Sequence, residues 1–291
     1  MNKDIESSRA RVSRRRALTL GGTVGLSGLI AACSTGGSSD TPPTTAAGSA
    51  SDDAVALLAR APQCVAGKEE TQGPYWFDVD SIRNDIREDR PGTTFEVVLR
   101  IQDSDTCTPA SGGGIANAVV EIWHCDAGGV YSGFESGSRS ANGYPPQAAT
   151  PGGPPTQDAP GADTSFILSN GSYSAGDVES ATTDDGTYLR GAQVTDGGGI
   201  ATFTTIFPGW YTGRTSHIHL RVHIDKKTVL TTQLYFPEDL IDEVYARSPY
   251  VEHTGREANV TNATDSLFDE SGMLTVVPTA DGYRGAVNIG V

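Results

Sequence analysis

Residues 217–236 read HIHLRVHIDKKTVLTTQLYF, and this stretch decides the fold class. Its two halves, 217–224 and 228–236, have the composition of β-strands, because β-branched and large apolar residues recur in both. The residues between them, Asp225-Lys226-Lys227, suit a tight turn. The stretch therefore predicts a β-hairpin.

Two more strands and one helix are predicted around this hairpin. Residues 95–101 and 118–123 are β-branched and aromatic runs, and a glycine-rich turn at 111–114 separates them. A short helix is expected to begin near Pro237, with acidic residues in its first turn, and to end near Arg247.

A second hairpin is predicted from residues 188–195 and 200–207, which flank the sequence Asp-Gly-Gly-Gly at 196–199. Several short strands at this spacing, with little helix, indicate a mainly β protein. We therefore expect an antiparallel β-sandwich with short helices and long loops.

The N-terminal residues are predicted to direct export. Residues 13–18 (SRRRAL) form a twin-arginine signature, and the apolar run after them is too short for a comfortable membrane span. Residues 29–33 (LIAAC) resemble the bacterial lipobox, in which Cys33 is lipidated; an ordinary cleaved signal peptide is the alternative. We expect residues 1–33 to be a lipoprotein-type signal. The protein would then be exported by the twin-arginine route, anchored through Cys33 at the extracellular face of the membrane or secreted.

The rest of the chain divides into a tether and one domain. Residues 34–55 are rich in Ser, Thr, Gly, Pro and Ala, which predicts a flexible linker. Residues 56–291 are long enough for a single domain with a sizeable core. Within it, the Gly- and Pro-rich stretch 132–186 is interpreted either as a mobile functional excursion or as a surface insertion with no role.

Composition limits the partners. The formal net charge is −15, and so acidic a chain lacks the basic face that a nucleic acid requires. The charge fits a soluble protein that acts on small molecules, with membrane contact only through a lipid anchor.

Four cysteines are present. If Cys33 is lipidated, then Cys64, Cys107 and Cys125 remain, and three disulfide pairings among them are open. Cys125 ends an apolar run and suits a buried thiol, which favours the pair Cys64–Cys107.

His217 and His219 lie two residues apart on a predicted strand, so both side chains face the same way. This pattern alone is weak evidence for a metal, since two core or surface histidines also satisfy it. Tyr211 follows a Pro-Gly-Trp turn just upstream, and Tyr131 follows another glycine turn. Phenolate oxygen is a hard donor, so two tyrosines with two histidines favour ferric iron. The alternative is a zinc hydrolase that uses the histidines alone.

Four motifs in this order resemble the intradiol ring-cleavage dioxygenases. They are IWHCDAGGVYS at 122–132, FPGWY at 207–211, RTSHIH at 214–219 and TQLYF at 232–236. The resemblance covers about residues 62–280, and TQGPYW at 71–76 is similar to the family segment that lines the substrate pocket.

The resemblance implies an Fe(III) site and a set of roles. Tyr131, Tyr211, His217 and His219 would be the iron ligands, and Tyr211 would leave the iron when a catechol binds. Arg214 would stabilise negative charge on the substrate, and Gln233 would lie close to the metal face. The substrate wall would contain Gly73, Pro74 and Tyr75. Residues 56–291 would be the catalytic domain.

The implied reaction uses O2 to cleave a catechol ring between its two hydroxylated carbons and yields cis,cis-muconate-type diacids. The export signal resembles the secreted, single-domain branch of the family, for which the oligomeric state is open. An inactive or ligand-binding lipoprotein of the same fold is the alternative. A carboxylated catechol would need a basic residue in the pocket, and Arg83, Arg87 and Arg190 are the candidates.

Overall fold

The structure is a computed structural model that describes residues 51–107, 113–136, 138 and 167–291. The predicted signal 1–33, with Cys33, and residues 34–50 of the predicted tether lie outside the described residues, as do residues 111 and 112 of the predicted turn at 111–114. In the described part of the chain, no helix has the length and apolar character needed to cross a membrane.

Two four-stranded sheets pack face to face, which confirms the predicted β-sandwich. The histidine sheet has the strand order β5-β2-β7-β8, and the second sheet has the order β6-β1-β10-β9. Most pairs are antiparallel, but β1 and β10 run parallel. The strands are β1 Thr94–Gln102, β2 Val119–Trp123, β3 Ile167–Leu168, β4 Val178–Glu179, β5 Arg190–Val194, β6 Ile200–Ile206, β7 His217–Ile224, β8 Lys227–Tyr235, β9 Thr275–Pro278 and β10 Gly282–Gly290.

The predicted hairpin at 217–236 is confirmed. Strands β7 and β8 pair in antiparallel register, with His219 opposite Gln233. Asp225 and Lys226 in the turn have φ values of 50° and 63°, as the twisted two-residue hairpin turn requires.

The hairpin predicted around 196–199 is wrong. The turn itself forms, and the Asp196 carboxylate accepts hydrogen bonds from the amides of Gly198 (2.8 Å) and Ile200 (2.9 Å). However, β5 pairs with β2, and β6 pairs with β1 in the other sheet. A tight turn reverses the chain but does not decide whether the strands on either side of it pair. Here the Gly199 carbonyl accepts a hydrogen bond from the Ile101 amide of β1 at 2.9 Å, and the chain passes from one sheet to the other.

The described residues contain two α-helices, of which only the second was predicted. Helix α2, Glu238–Tyr245, lies where the acidic first turn indicates. Helix α1, Asp52–Leu58, begins inside the predicted tether, because the Ser51 side chain caps the amide of Ala54. It buries Leu57 and Leu58 on the outer face of the second sheet. The polar residues of its first turn have the composition of a linker. Only the packing of Leu57 and Leu58 shows that this segment belongs to the folded domain.

The two faces of the histidine sheet differ in chemistry. Ile218, Leu220 and Val222 of β7 point into the core between the sheets. The alternate residues of β7 point outward, where Trp123 of β2 belongs to a second buried cluster that also contains Trp76 and Tyr131. Loops therefore cover this outer face and bury its polar side chains.

The structure joins Cys64 to Cys107 in a disulfide, while Cys125 is a free, buried thiol. This is the favoured pairing of the three. In the 132–186 stretch, residues 139–166 lie outside the described part, whereas residues 167–186 contain the small β3–β4 sheet and pack over the outer face.

Candidate metal centre

His217 and His219 lie on the outward face of β7, as the strand period predicts, and their Nε2 atoms are 3.3 Å apart. Both rings are almost fully buried. The Nδ1 of His217 donates to the Thr215 carbonyl at 2.7 Å, which leaves the lone pair on Nε2 facing the site. The His219 ring stacks on Trp123, with centroids 4.9 Å apart and planes 5° apart.

The two tyrosines are brought together by two interlocking glycine turns. Gly129 has φ +83°, and a Cβ on it would lie 2.3 Å from the Trp210 carbonyl oxygen. A Cβ on Gly209 would lie 2.4 Å from the carbonyl oxygen of Asp126. Because neither turn tolerates a side chain at these positions, the backbones approach closely, and the rings of Tyr131 and Tyr211 meet edge to face at 5.9 Å.

The hydroxyl of Tyr211 lies 3.1 Å from Nε2 of His217. The Tyr131 ring is fully buried, and its hydroxyl has no partner in hydrogen-bonding geometry among the described residues. An unsatisfied buried hydroxyl beside converging donor atoms is unfavourable unless something else occupies the point they share.

The donor set fits a metal ion. Metal–ligand bonds of about 2 Å separate donor atoms on one ion by about 3 Å, and the donor distances here are 3.1 and 3.3 Å. In the residues that the structure describes, no group of three His, Cys, Asp or Glu side chains is arranged to hold a metal. A site here would therefore depend on the tyrosines, whose phenolate oxygens are hard donors that suit ferric iron.

Burial shifts all four donors towards their neutral forms. Desolvation lowers the pKa of both His217 and His219 well below the usual range, so their lone pairs are free for a metal. It raises the pKa of Tyr211 to about 12 and that of Tyr131 further. Without a bound cation, both tyrosines are therefore phenols.

Arg214 and Gln233 lie next to each other beside this centre. Arg214 donates through Nη2 to the Gln233 Oε1 at 2.5 Å and through Nε to the Asp265 Oδ2 at 2.9 Å. The positive charge of Arg214 also opposes the rise in the Tyr211 pKa. Asp265 carries no local sequence signal, because it lies in an irregular loop far along the chain, and sequence reasoning missed it.

Gly73, Pro74 and Tyr75 pass directly over the centre. A Cβ on Gly73, which has φ +70°, would lie 3.2 Å from Cε1 of His219. The Tyr75 ring stacks on Tyr131 with centroids 4.7 Å apart. The segment predicted to line a substrate pocket thus borders two of the four donors.

The other three histidines of the chain are held by contacts outside the four-donor centre. His124 is held by the Cys125 carbonyl at 2.8 Å and by Thr205 at 2.7 Å, and burial lowers its pKa to about 4. His223 contacts the buried Glu121 at 3.3 Å. The His253 ring stacks on Trp210, with centroids 4.3 Å apart.

Of the three candidate arginines, only Arg190 lies near the donors. Its guanidinium is 6.0 Å from the Tyr131 ring and donates to the hydroxyl and the carbonyl of Ser132, both at 2.8 Å. Arg83 is paired with Glu88 at 2.7 Å. Arg87 forms an ion pair with Asp85, also at 2.7 Å.

Several solved dioxygenase structures match this fold. An intradiol ring-cleavage dioxygenase from Tetranychus urticae matches with 29% identity and a TM-score of 0.59, covering 78% of this chain and 94% of that one. A second dioxygenase structure matches at 29% identity with a TM-score of 0.57 and the same coverage. The dioxygenase domain of a carbohydrate-binding fusion protein from Streptomyces sp. SirexAA-E matches at 22% identity with a TM-score of 0.48, covering 78% and 98%.

No protein-family model and no curated protein matches the chain. The two structural matches at 29% identity are nevertheless dioxygenases, one of them an intradiol ring-cleavage dioxygenase. The resemblance inferred from the motifs is thus confirmed: the structural homologues of this chain are intradiol ring-cleaving dioxygenases, a class of oxidoreductase.

Proposed function

We propose that this protein is a non-haem Fe(III) intradiol dioxygenase that cleaves catecholic compounds with O2 to cis,cis-muconate-type diacids. The observation that supports the proposal is the convergence of Tyr131, Tyr211, His217 and His219 at one buried point. These four side chains would hold the iron. When bound, Fe(III) would bind both oxygens of the catechol and make the ring susceptible to O2.

The two tyrosines differ in their freedom to move. Tyr131 is fully buried, and its amide is tied to the Ser138 hydroxyl at 2.8 Å. Tyr211 is only partly buried and lies in a loop. Tyr211 is therefore the better candidate to swing away and accept a catechol proton at its Oη, while Tyr131 stays in place.

Arg214 would stabilise negative charge that develops on the bound catechol. Its guanidinium is oriented by Asp265 and Gln233 before any substrate arrives, so little reorganisation is needed during the reaction. Gly73 would leave room beside His219 for the substrate ring, because any side chain there would crowd the imidazole.

We also propose that the protein is exported by the twin-arginine route and is anchored through a lipid on Cys33, as the sequence motifs at 13–18 and 29–33 support. In an expressing cell, the wild-type protein should partition with membranes, whereas Cys33→Ser should be released. Equal partitioning of the two would contradict the anchor.

Colour tests the iron assignment most directly. The iron-loaded protein should be red from charge transfer between tyrosinate and Fe(III), and Tyr131→Phe together with Tyr211→Phe should abolish the band at unchanged fold. A colourless iron-loaded protein, or a zinc-dependent hydrolase activity, would contradict the assignment.

Oxygen uptake with catechol, hydroxyquinol, protocatechuate and caffeate tests the reaction. A muconate-type product establishes intradiol cleavage, and a semialdehyde product would indicate cleavage outside the diol instead. Consumption of no catechol by the red protein would favour the ligand-binding alternative.

A further inference from the structure

The segment 72–76 covers the candidate centre, yet it belongs to no strand or helix. Its position is held in part by hydrogen bonds to the 178–180 loop, where Gln72 Nε2 donates to the Val178 carbonyl at 3.1 Å and the Ser180 amide donates to the Trp76 carbonyl at 2.8 Å. The other contacts come from side chains on the outer face of the histidine sheet. The residues at its two ends, Gln72 and Trp76, make the contacts, and the residues predicted to line the substrate pocket lie between them.

Arg221 makes a contact at each end of the segment. It follows His217 and His219 on the same face of β7, and its side chain is only 6% exposed. Its guanidinium lies over the Trp76 ring, with Cζ 3.9 Å from the ring centroid, and its Nη2 donates to the Gln72 Oε1. One arginine therefore stacks on one end and hydrogen-bonds the other, a combination that lysine does not reproduce.

Glu121 completes the attachment. It lies opposite Arg221 in the register of β2 and β7, and it accepts a hydrogen bond from Trp76 Nε1 at 3.0 Å. Trp76 is fully buried. The indole is thus fixed by stacking on one side and by a charged hydrogen bond on the other, so rotation of the Trp76 side chain is strongly disfavoured.

The side-chain contacts of this network do not involve the four candidate iron ligands. Arg221 forms an ion pair with Asp177 at 3.5 Å, and Glu121 contacts His223 at 3.3 Å. Neither Arg221 nor Glu121 hydrogen-bonds to a candidate ligand among the described residues. The role of the network is therefore separable from iron binding.

We propose that Arg221, together with Glu121, is a positioning residue that holds the Gly73–Tyr75 wall at a fixed distance from the centre and thereby sets which ring substituents a catechol can carry. The statement about catechol substituents rests on the proposed function. The statement that Arg221 holds the Gly73–Tyr75 wall in place does not depend on iron.

The test compares Arg221→Lys and Gln72→Met with matched controls. Arg284→Lys changes an arginine paired with Glu96 on the second sheet, and Gln63→Met changes a half-buried glutamine in the N-terminal loop. Hydrogen exchange of residues 71–76 should become about tenfold faster in both test variants and stay unchanged in both controls. If both test variants exchange at the wild-type rate, Arg221 does not hold the segment in place. If Arg221→Lys does not fold, the exchange rate of Gln72→Met decides the question.

Steady-state kinetics test the effect on substrate choice. In the test variants, KM for catechol should rise several-fold with kcat within about twofold, and discrimination between catechol and a bulkier substituted catechol should shrink. The charge-transfer band should not move. A fall in kcat with KM unchanged, or wild-type discrimination, would overturn the positioning role. If wild type itself cleaves no catechol, the proposed function fails, while the exchange result still decides whether the wall is held.

Discussion

Arg214 and Asp265 form a buried ion pair in which Nε lies 2.9 Å from Oδ2, and the carboxyl side chain is only 1% exposed. The same Oδ2 accepts the amide of Thr215 at 2.9 Å. Asp265 thus ties both the side chain of the arginine and the start of the histidine strand to one loop.

Arg214→Gln should reduce kcat by about 10²–10³, because it removes a donor aimed at developing negative charge. Asp265→Asn should reduce kcat by about tenfold, because the arginine keeps its charge but loses its orientation. Steady-state oxygen uptake measures both. Asp269→Asn, at a half-buried carboxylate paired with Lys68, is the control. A larger loss from Asp265→Asn than from Arg214→Gln would contradict this order.

Gly129→Ala should destabilise the protein by several kcal/mol, on the order of 2–4, and weaken iron binding. The new Cβ would lie 2.3 Å from the Trp210 carbonyl oxygen at a φ of +83°, so the two turns that bring the tyrosines together would separate. Urea denaturation and iron content measure the effect. Gly197→Ala, where nothing lies within 4 Å, should behave as wild type; equal losses in both variants would contradict the interlock.

Glu70 should make stability depend on pH. Burial raises its pKa from 4.5 to about 7, and its carboxyl accepts a hydrogen bond from the Tyr235 hydroxyl at 2.9 Å. Because the folded state favours the protonated form, this contribution is fully present below about pH 4.5 and is lost as the pH rises through about 7. Since Glu70 is partly exposed, solvent screening limits the effect to about 1 kcal/mol.

Glu70→Gln should remove this pH dependence. Its melting temperature should fall less than that of wild type between pH 5 and pH 8, measured by calorimetry. Glu69→Gln, at the neighbouring position, should retain the wild-type slope. If the melting temperatures of wild type and Glu70→Gln change in parallel between pH 5 and pH 8, Glu70 does not titrate in this range.

Loss of the Cys64–Cys107 disulfide should lower the free energy of unfolding by about 2–4 kcal/mol, because the crosslink closes a loop with a sequence separation of 43. Cys64→Ser with Cys107→Ser and chemical reduction of wild type should give the same urea midpoint.

Cys125 should resist thiol reagents in the native state, since burial raises its pKa above the usual range. Rapid native labelling of Cys125 would contradict its placement.

The local sequence determined the strands that carry the candidate site and the face on which the two histidines lie. Strand-forming residues on both sides of Asp225-Lys226-Lys227 indicate a hairpin, and a spacing of two puts His217 and His219 on one side of it. The turns before Tyr131 and Tyr211 could also be identified in advance from their glycines.

The tertiary structure alone decided which of these elements meet. No local pattern shows that the turns of Gly129 and Gly209 interlock, that Asp265 orients Arg214, or that the chain crosses between sheets at 196–199. The contacts of Trp76 with Arg221 and Glu121 could not be predicted from the local sequence either. The physical reason is that backbone conformation depends on neighbouring residues, whereas the choice of distant partners depends on how whole surfaces pack once the two sheets have closed on each other.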